Sequence, residues 1–356
     1  MQQLVLGKEV ISKVIMKELS KINISVTYAC NYRCKTCNIW RAYLEDPTLR
    51  NGELTRTDYE NLFEENRDFI WVSFTGGEPF LRKDFPEIVI SALKNVEKLR
   101  VVNIATNGSM PERVEKGIGN VLSEMPKKVH LFIEVSLDGF ETLHNNIRGN
   151  NNAHRKALET FLRLQRLKEE LRPNFFNVKF EYTLSKFNSG MFEATLNELK
   201  NAEVPVDIND FVFTFAHNSY YYNNMQSDIK PETDLLLNDV SWILKHYQNR
   251  KFFDRVTKSY LKMTQKYFKE GWRPPCVVGE YSCFLDPFGN IYPCITMNFT
   301  LGNLKEDGFN LSQILKNSDS KIFRENLRPH CSTCWTSCEA YQTIVFNFPR
   351  FIKELL

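Results

Sequence analysis

Six short apolar segments, rich in β-branched and aromatic residues, recur along the first two thirds of this 356-residue chain. Helical patterns separate most of them, and strands that alternate with helices in this way favour parallel βα units. Six strands are fewer than the eight of a closed barrel, so we predict an α/β fold with a partial (β/α)6 barrel. The predicted strands are Ile22–Val26, Ile70–Phe74, Val101–Ala105, Val129–Leu137, Val178–Leu184 and Asp210–Phe215, and the predicted helices are Arg56–Asn66, Phe85–Asn95, Glu112–Glu124, Asn152–Leu171 and Met191–Lys200.

Three cysteines follow the first predicted strand in a C-x3-C-x2-C run: Cys30, Cys34 and Cys37. Thiolates are the usual ligands of iron–sulfur clusters, so three of them can hold three corners of a cubane cluster and leave the fourth iron open. A zinc site is the alternative, although zinc normally takes four ligands. A fourth local ligand is missing, because no Cys or His lies between Asn38 and Lys128.

A second motif, Gly76-Gly77-Glu78-Pro79, ends the second predicted strand. Glycine allows close approach of the backbone to a ligand, and Pro79 has no N–H with which to continue the strand. Turns of this composition are common, so the motif carries weight only beside the cysteine run. Functional residues of parallel sheets gather at the carboxyl ends of the strands, where both motifs lie.

The two motifs together resemble the signature of radical S-adenosylmethionine enzymes. The resemblance implies that Cys30, Cys34 and Cys37 hold a [4Fe-4S] cluster whose open iron is chelated by the methionine part of S-adenosylmethionine. One electron from the cluster would then cleave the cofactor and release a 5′-deoxyadenosyl radical. The implied cofactor-binding residues are Gly76, Gly77, Glu78, Pro79, Asn107, Ser136, Asp138 and Arg148.

Several of these assignments have plainer alternatives. Asn107-Gly108 and Asp138-Gly139 can be simple turns, and Arg148 can be an exposed loop arginine. The family usually has an aromatic residue just before the third cysteine, near the adenine, and Thr36 stands there in this chain. We therefore expect Ile39 or Trp40 to supply the apolar contact to adenine.

Six further cysteines crowd the last third of the chain, and none lies between Asn38 and Pro275. The segment from Cys276 to Cys294 reads as a β-hairpin with its turn at 286–290, which would bring these two cysteines together. Cys331 and Cys334 form a C-x2-C pair, and Cys338 follows one helical turn later. This distribution predicts a second site, separate from the first.

The second group resembles the SPASM and twitch extensions of radical S-adenosylmethionine enzymes, which hold auxiliary [4Fe-4S] clusters. A full SPASM domain holds two clusters and needs more cysteines, so we expect the twitch form with one. Its expected ligands are Cys276, Cys294, Cys331 and Cys334, with Cys283 and Cys338 as alternates. Two clusters of three ligands each and a zinc ribbon are the alternatives.

The predicted organisation has four parts: an amphipathic helix in 1–20, the barrel in 21–230, a helical linker in 231–275 and the auxiliary domain in 276–356. Nine cysteines without a secretory signal indicate reduced thiols and a cytoplasmic location. The net charge of +3 does not favour nucleic acid as a partner. No apolar run approaches the ~20 residues that span a bilayer.

Two terminal segments, 4–19 and 346–356, combine apolar and basic residues and could contact a membrane surface. Packing against the open side of the barrel is the alternative. The aromatic-rich segment 211–222 could line the substrate pocket, although such strand ends are more often part of the core.

We therefore predict a radical enzyme that abstracts hydrogen from a C–H bond, with an electron donor such as flavodoxin or ferredoxin as its partner. An auxiliary cluster could accept an electron, which favours oxidative modification. About twenty residues precede the first strand, too few for a leader-peptide-binding domain, so we expect a small molecule, sugar or lipid substrate. A peptide maturase is the alternative, and a non-catalytic zinc protein is the rival from another class.

Overall fold

The computed structural model describes residues 18–171, 173, 175–329, 331 and 334–347. A nine-stranded sheet forms its centre, with the strand order β6-β5-β4-β3-β2-β1-β7-β8-β9. Strands β1 to β6 are parallel and neighbouring in chain order, as a partial barrel requires, and the sheet does not close between β6 and β9. The strands are β1 Lys21–Ser25, β2 Trp71–Thr75, β3 Val101–Thr106, β4 His130–Ser136, β5 Phe176–Leu184, β6 Phe211–Phe215, β7 Ser282–Leu285, β8 Asn290–Tyr292 and β9 Gly302–Asn303.

Helices cover the outer side of the sheet and the regions between strands. They are α1 Ala42–Glu45, α2 Arg56–Glu65, α3 Phe85–Asn95, α4 Pro111–Ser123, α5 Glu141–Arg148, α6 Ala153–Leu171, α7 Phe192–Asn201, α8 Thr233–His246, α9 Phe252–Glu270, α10 Leu311–Ile314, α11 Ser318–Ile322 and α12 Ser337–Phe346. All six predicted strands and all five predicted helices are present, with ends displaced by at most two residues.

The alternation of residues in β5 shows why the inside of the barrel is polar. Phe176, Val178, Phe180, Tyr182 and Leu184 are buried against the helices. The residues between them, Asn177, Lys179, Glu181 and Thr183, therefore face the interior, because successive side chains of a strand point to opposite sides. A strand of this pattern brings charged groups into the lumen of the barrel.

The C-terminal region joins the same sheet and enters its open side. Strand β7 pairs in parallel with β1, and β8 returns antiparallel to β7, which confirms the predicted hairpin. Helix α12 packs into the lumen, where the Ser337 hydroxyl donates to the Thr214 hydroxyl at 2.7 Å. At the start of α12, the Cys338 carbonyl accepts a hydrogen bond from the ammonium of Lys21 at 3.1 Å.

Among the residues that the structure describes, no helix is both long enough and apolar enough to cross a bilayer. Residues 1–17 and 348–356, which carry most of the two segments with predicted membrane contact, lie outside the described residues. The domain boundaries at 20, 230 and 275 stay predictions.

Candidate active site and auxiliary cluster site

Backbone hydrogen bonds hold the two N-terminal motifs together. The Gly77 N–H donates to the Thr27 carbonyl at 2.7 Å, and the Glu78 N–H donates to the Ala29 carbonyl at 2.8 Å. These bonds continue the β1–β2 pairing beyond the ends of both strands. The glycine-rich turn therefore lies directly against the segment that leads into Cys30.

Gly77 occupies a position that no other residue can take without movement of the backbone. A Cβ atom added there would lie 2.2 Å from the Ala29 carbonyl oxygen and 2.8 Å from the Tyr28 carbonyl oxygen. Both neighbours are backbone atoms and cannot rotate away. The close approach, which only glycine allows, explains the second glycine of the motif.

Glu78 joins the second strand end to the third. Its buried carboxylate accepts hydrogen bonds from the Thr106 hydroxyl at 2.9 Å, the Asn107 N–H at 2.6 Å and the Phe80 N–H at 3.1 Å. Burial raises the pKa of this carboxyl to about 7, although the three donors oppose the shift. In this structure the side chain of Glu78 therefore holds two loops in place.

Asn107 connects this arrangement to the cysteine run. Its amide donates to the Asn31 side-chain oxygen at 2.9 Å and approaches the Cys30 sulfur at 3.9 Å. The Asn31 amide donates in turn to the Ser109 hydroxyl at 2.8 Å. The cysteine segment is thus anchored to the loops after both β2 and β3.

Arg148, at the end of α5, places a cation beside the cysteines. Its guanidinium forms an ion pair with Asp138 at 2.7 Å and lies 3.9 Å from the Cys34 sulfur. The last carbonyls of α5, those of Ile147 and Arg148, accept hydrogen bonds from the Lys35 and Arg33 N–H groups. These bonds satisfy orphan carbonyls of the helix and fix the loop that carries Cys34.

A cavity of about 150 Å³ opens between these elements at the carboxyl ends of the strands. Its lining includes most of the predicted site residues: Cys30, Cys34, Cys37, Gly76, Gly77, Pro79, Asn107, Ser136 and Arg148. Glu78 and Asp138 are not part of the lining and lie behind it, bonded to residues that are. Ile39 and Trp40, the expected apolar contacts of the adenine, line the cavity as well.

The cavity also contains residues that the sequence analysis did not assign, Thr75, Thr106, Glu181 and Thr183, and two residues of the segment 211–222, Thr214 and Ala216. The signal for several of them was present, since polar residues at every second position of a buried strand must face the lumen. The aromatic-rich segment 211–222 divides between two places. Phe215, His217 and Tyr222 line the cavity, whereas Phe211 and Phe213 are buried in the core.

The three N-terminal thiols suit an iron–sulfur cluster. Burial raises the pKa of Cys30 to about 12 and also raises the pKa values of Cys34 and Cys37, while the nearby Arg148 opposes each shift. Metal binding deprotonates such thiols, and an adjacent cation stabilises the thiolates. Among the described residues, no three Cys, His, Asp or Glu side chains meet as a single metal ion would require.

A second group of cysteines lies on the other side of α12. Cys276 and Cys334 line one small cavity together with Arg273. Burial raises the pKa of Cys276 to about 11 and that of Cys334 to about 12; the charge of Cys331 adds to both shifts, and Arg273 opposes them. Burial, and then the charges of Glu339 and Cys334, raise the pKa of Cys294. All four expected ligands therefore share one neighbourhood, with a cation beside it that would stabilise thiolates.

The two alternate cysteines lie elsewhere. Cys283 is a fully buried residue of β7, in register with Ile22 of β1. Cys338 lines the first cavity together with Cys30 and Cys37. Neither Cys283 nor Cys338 lines the small cavity that Cys276 and Cys334 share.

Comparison with known proteins identifies the class. The family model described as the Radical SAM superfamily matches residues 24–213, and that of an iron–sulfur cluster-binding domain, SPASM, matches residues 276–338. The chain belongs to the radical S-adenosylmethionine superfamily and is an enzyme with a SPASM region. Its cofactors are S-adenosylmethionine, a [4Fe-4S] cluster and auxiliary iron–sulfur bound by the SPASM region. When bound, the first cluster supplies the electron that cleaves S-adenosylmethionine to a 5′-deoxyadenosyl radical.

Two curated relatives illustrate the range of the superfamily. The mycofactocin maturase MftC of Mycobacterium tuberculosis (strain ATCC 25618 / H37Rv) is 24% identical over 328 residues, which cover 89% of this chain and 75% of the relative. An S-adenosylmethionine-dependent nucleotide dehydratase of Fibrobacter sp. (strain UWH6) is 27% identical over 265 residues, 67% of this chain and 74% of the relative.

Solved structures share the fold. SuiB of Streptococcus suis has a TM-score of 0.53 at 14% identity, over 90% of this chain and 70% of that one. The enzyme anSMEcpe, with bound AdoMet and the Cp18Cys peptide, has a TM-score of 0.54 at 15% identity, over 94% and 97% of the two chains. At these identities the likeness shows the architecture alone.

Proposed function

We propose that this enzyme uses the 5′-deoxyadenosyl radical to abstract hydrogen from a peptide substrate and completes a net oxidation of that peptide. The observation that carries the proposal is the position of α12. It contributes Cys338 to the first cavity, and Glu339, Ala340 and Thr343 to the small cavity that Cys276 and Cys334 line. A substrate in the cavity would lie between a radical source and an electron acceptor.

The comparisons favour a peptide over the small molecule, sugar or lipid that the sequence predicted. MftC, a maturase, aligns with most of this chain, and anSMEcpe has the same architecture with a peptide bound. The short length of chain before β1 favoured a small substrate, but the comparison with these relatives is the stronger argument about the substrate. We therefore prefer the peptide maturase, which was the alternative in the sequence analysis.

The residues that hold the cofactors are part of the same proposal. Cys30, Cys34 and Cys37 bind the cleaving cluster, and the lining residues Gly76, Gly77, Pro79, Asn107, Ser136 and Arg148 contact S-adenosylmethionine. Glu78 and Asp138 act by holding Asn107 and Arg148 in place. Cys276, Cys294, Cys331 and Cys334 hold one auxiliary cluster. A protein such as flavodoxin or ferredoxin would deliver the electron to the cleaving cluster.

The test is substrate-stimulated formation of 5′-deoxyadenosine. The anaerobically reconstituted enzyme receives S-adenosylmethionine, dithionite and extracts of the source cells that have been fractionated by size. We expect stimulation by a fraction that loses its effect after digestion with proteinase K. Stimulation that survives the protease would contradict a peptide substrate and support a small one, such as the nucleotide that the name of the Fibrobacter relative indicates.

A further inference from the structure

Glu181 is a carboxyl group inside the first cavity that neither cluster nor the cofactor motifs account for. It lies on the lumen side of β5, level with Ser136 of β4 and Val212 of β6 in the strand register. Its side chain lines the cavity together with Thr183 and Thr214. The fold thus presents this carboxyl to whatever occupies the cavity.

Glu181 differs from the neighbouring acids Asp138 and Glu134 because its carboxyl has no partner. Asp138 pairs with Arg148 and accepts from the Thr183 N–H, and Glu134 accepts from the Asn103 amide at 2.8 Å. Among the described residues, the Glu181 carboxyl makes no hydrogen bond or ion pair. The half-buried carboxyl faces the cavity with its hydrogen-bonding capacity unused, so a polar group of a ligand would complete the site.

The surroundings of Glu181 place it beside both the cofactor motifs and α12. Its charge interacts with Arg148, next to the first cysteine run, with Cys338 of α12, and with Tyr222, whose carbonyl accepts a hydrogen bond from the Asn38 N–H beside Cys37. Burial and the neighbouring Glu134 raise its pKa to about 8. Asp138 adds to this shift, and Arg148 opposes it.

We propose that Glu181 is a catalytic residue that hydrogen-bonds an N–H or O–H group on the substrate carbon to be oxidised and accepts its proton. The proposal rests on the oxidation that we propose above, but it does not depend on whether the substrate is a peptide. The substrate group that Glu181 would recognise is a carbon atom that carries both a hydrogen atom and an amine, amide or hydroxyl group.

Atoms and electrons balance in this step. The deoxyadenosyl radical removes the hydrogen atom from carbon and becomes 5′-deoxyadenosine, which leaves a carbon radical beside the N–H or O–H group. The Glu181 carboxylate takes the proton from that nitrogen or oxygen and becomes a carboxylic acid. One electron passes to an oxidised iron–sulfur cluster, and the carbon–nitrogen or carbon–oxygen double bond forms. The substrate loses two hydrogens in total: the first as an atom, the second as a proton and an electron.

The test compares wild type with Glu181→Gln, which keeps the size and hydrogen-bonding ability of the side chain but cannot accept a proton. Both holoenzymes receive the stimulating fraction, whichever class of molecule it contains. We measure 5′-deoxyadenosine and the product that is two hydrogens lighter, by mass spectrometry. In Glu181→Gln, the product formed per 5′-deoxyadenosine should fall about 100-fold, while 5′-deoxyadenosine still forms.

Glu134→Gln is the matched control, because it removes a lumen carboxyl that does not line the first cavity. It should keep the product yield, and the pH at which that yield reaches half its maximum should move downward, since the Glu134 charge no longer raises the pKa of Glu181. A structural role for Glu181 would not produce this shift.

Infrared spectroscopy gives a readout that needs no substrate. The wild-type holoenzyme should show a protonated carboxyl band at neutral pH that disappears near pH 8 and is missing in Glu181→Gln. The proposal is overturned if the product yield per 5′-deoxyadenosine is unchanged in Glu181→Gln, or if both products disappear together. Failure of the peptide proposal would appear separately, as stimulation that resists protease.

Discussion

The guanidinium of Arg148 lies 2.7 Å from the carboxylate of Asp138, and both groups are largely buried. Arg148 also approaches the Cys34 sulfur at 3.9 Å, so Asp138 fixes the direction of the cation that faces the cysteine run. The loop after β4 thereby controls the charge environment of a segment more than one hundred residues earlier in the chain. This pair explains why Asp138 belongs to the site although it does not line the cavity.

Asp138→Asn should destabilise the protein by about 3 kcal/mol, because it leaves the charge of Arg148 buried without a partner. Chemical denaturation of the purified protein measures this change. Asp228→Asn is the control, since it breaks the exposed ion pair with Lys186 and should change the stability far less. Equal effects of the two substitutions would show that the buried pair has no special role.

Gly77→Ala should lower the free energy of unfolding by about 3 kcal/mol, since the new methyl group would overlap the backbone at Ala29. It should also weaken the binding of S-adenosylmethionine, measured by calorimetry on the reconstituted enzyme. Gly119→Ala, in α4, places the same methyl group where no atom lies within 4 Å. That control should stabilise the helix by about 1 kcal/mol, and similar losses in both variants would refute the steric explanation.

Asp239 of α8 should make stability depend on pH. Burial raises its pKa to about 6, above its ordinary value of 3.8, while the Gly190 N–H that it binds opposes the shift. The folded state therefore binds the Asp239 proton more tightly than the unfolded state does. The stabilisation that this proton binding provides is lost as the pH rises from about 4 to about 6. Relative to wild type, Asp239→Asn should be more stable at pH 7.5 than at pH 4.5. Urea denaturation at both pH values measures the difference, and the opposite order would contradict the assignment.

Cys338 and Cys283 should not be needed for cluster binding. Cys338→Ser and Cys283→Ala, each purified anaerobically, should keep the wild-type iron content, because neither residue lines the small cavity that Cys276 and Cys334 share. Loss of about four irons in either variant would show that the substituted cysteine is a cluster ligand and would change the proposed set of ligands.

Strand–helix alternation was sufficient to predict the barrel, since apolar residues in regular spacing dominate β1 to β6 and the long helices. Helix α5 was not predicted, because its sequence, ETLHNNIR, is mostly polar and buries only His144 and Ile147. Spacing alone also identified the two cysteine groups, whereas Arg148 was identified from the resemblance to radical S-adenosylmethionine enzymes.

Other features depend on three-dimensional packing that the sequence does not express. Glu78 and Asp138 resemble ligand contacts in sequence, yet their oxygens are used to bind neighbouring loops. Glu181 was not predicted, because the resemblance places site residues at the strand ends and Glu181 lies three residues before the end of β5. The placement of Cys338 in the first cavity follows from the entry of α12 into the lumen, which no local pattern predicts.

The most direct test of the account is the iron and sulfide content per chain after anaerobic reconstitution. We would compare wild type, the Cys30, Cys34, Cys37 triple Ala variant, and the Cys276, Cys294, Cys331, Cys334 quadruple Ala variant. The account predicts about eight irons in wild type and about four in each variant. About four irons in wild type, with none in the triple variant and no loss in the quadruple variant, would contradict a second cluster and remove the electron acceptor on which the proposed oxidation depends.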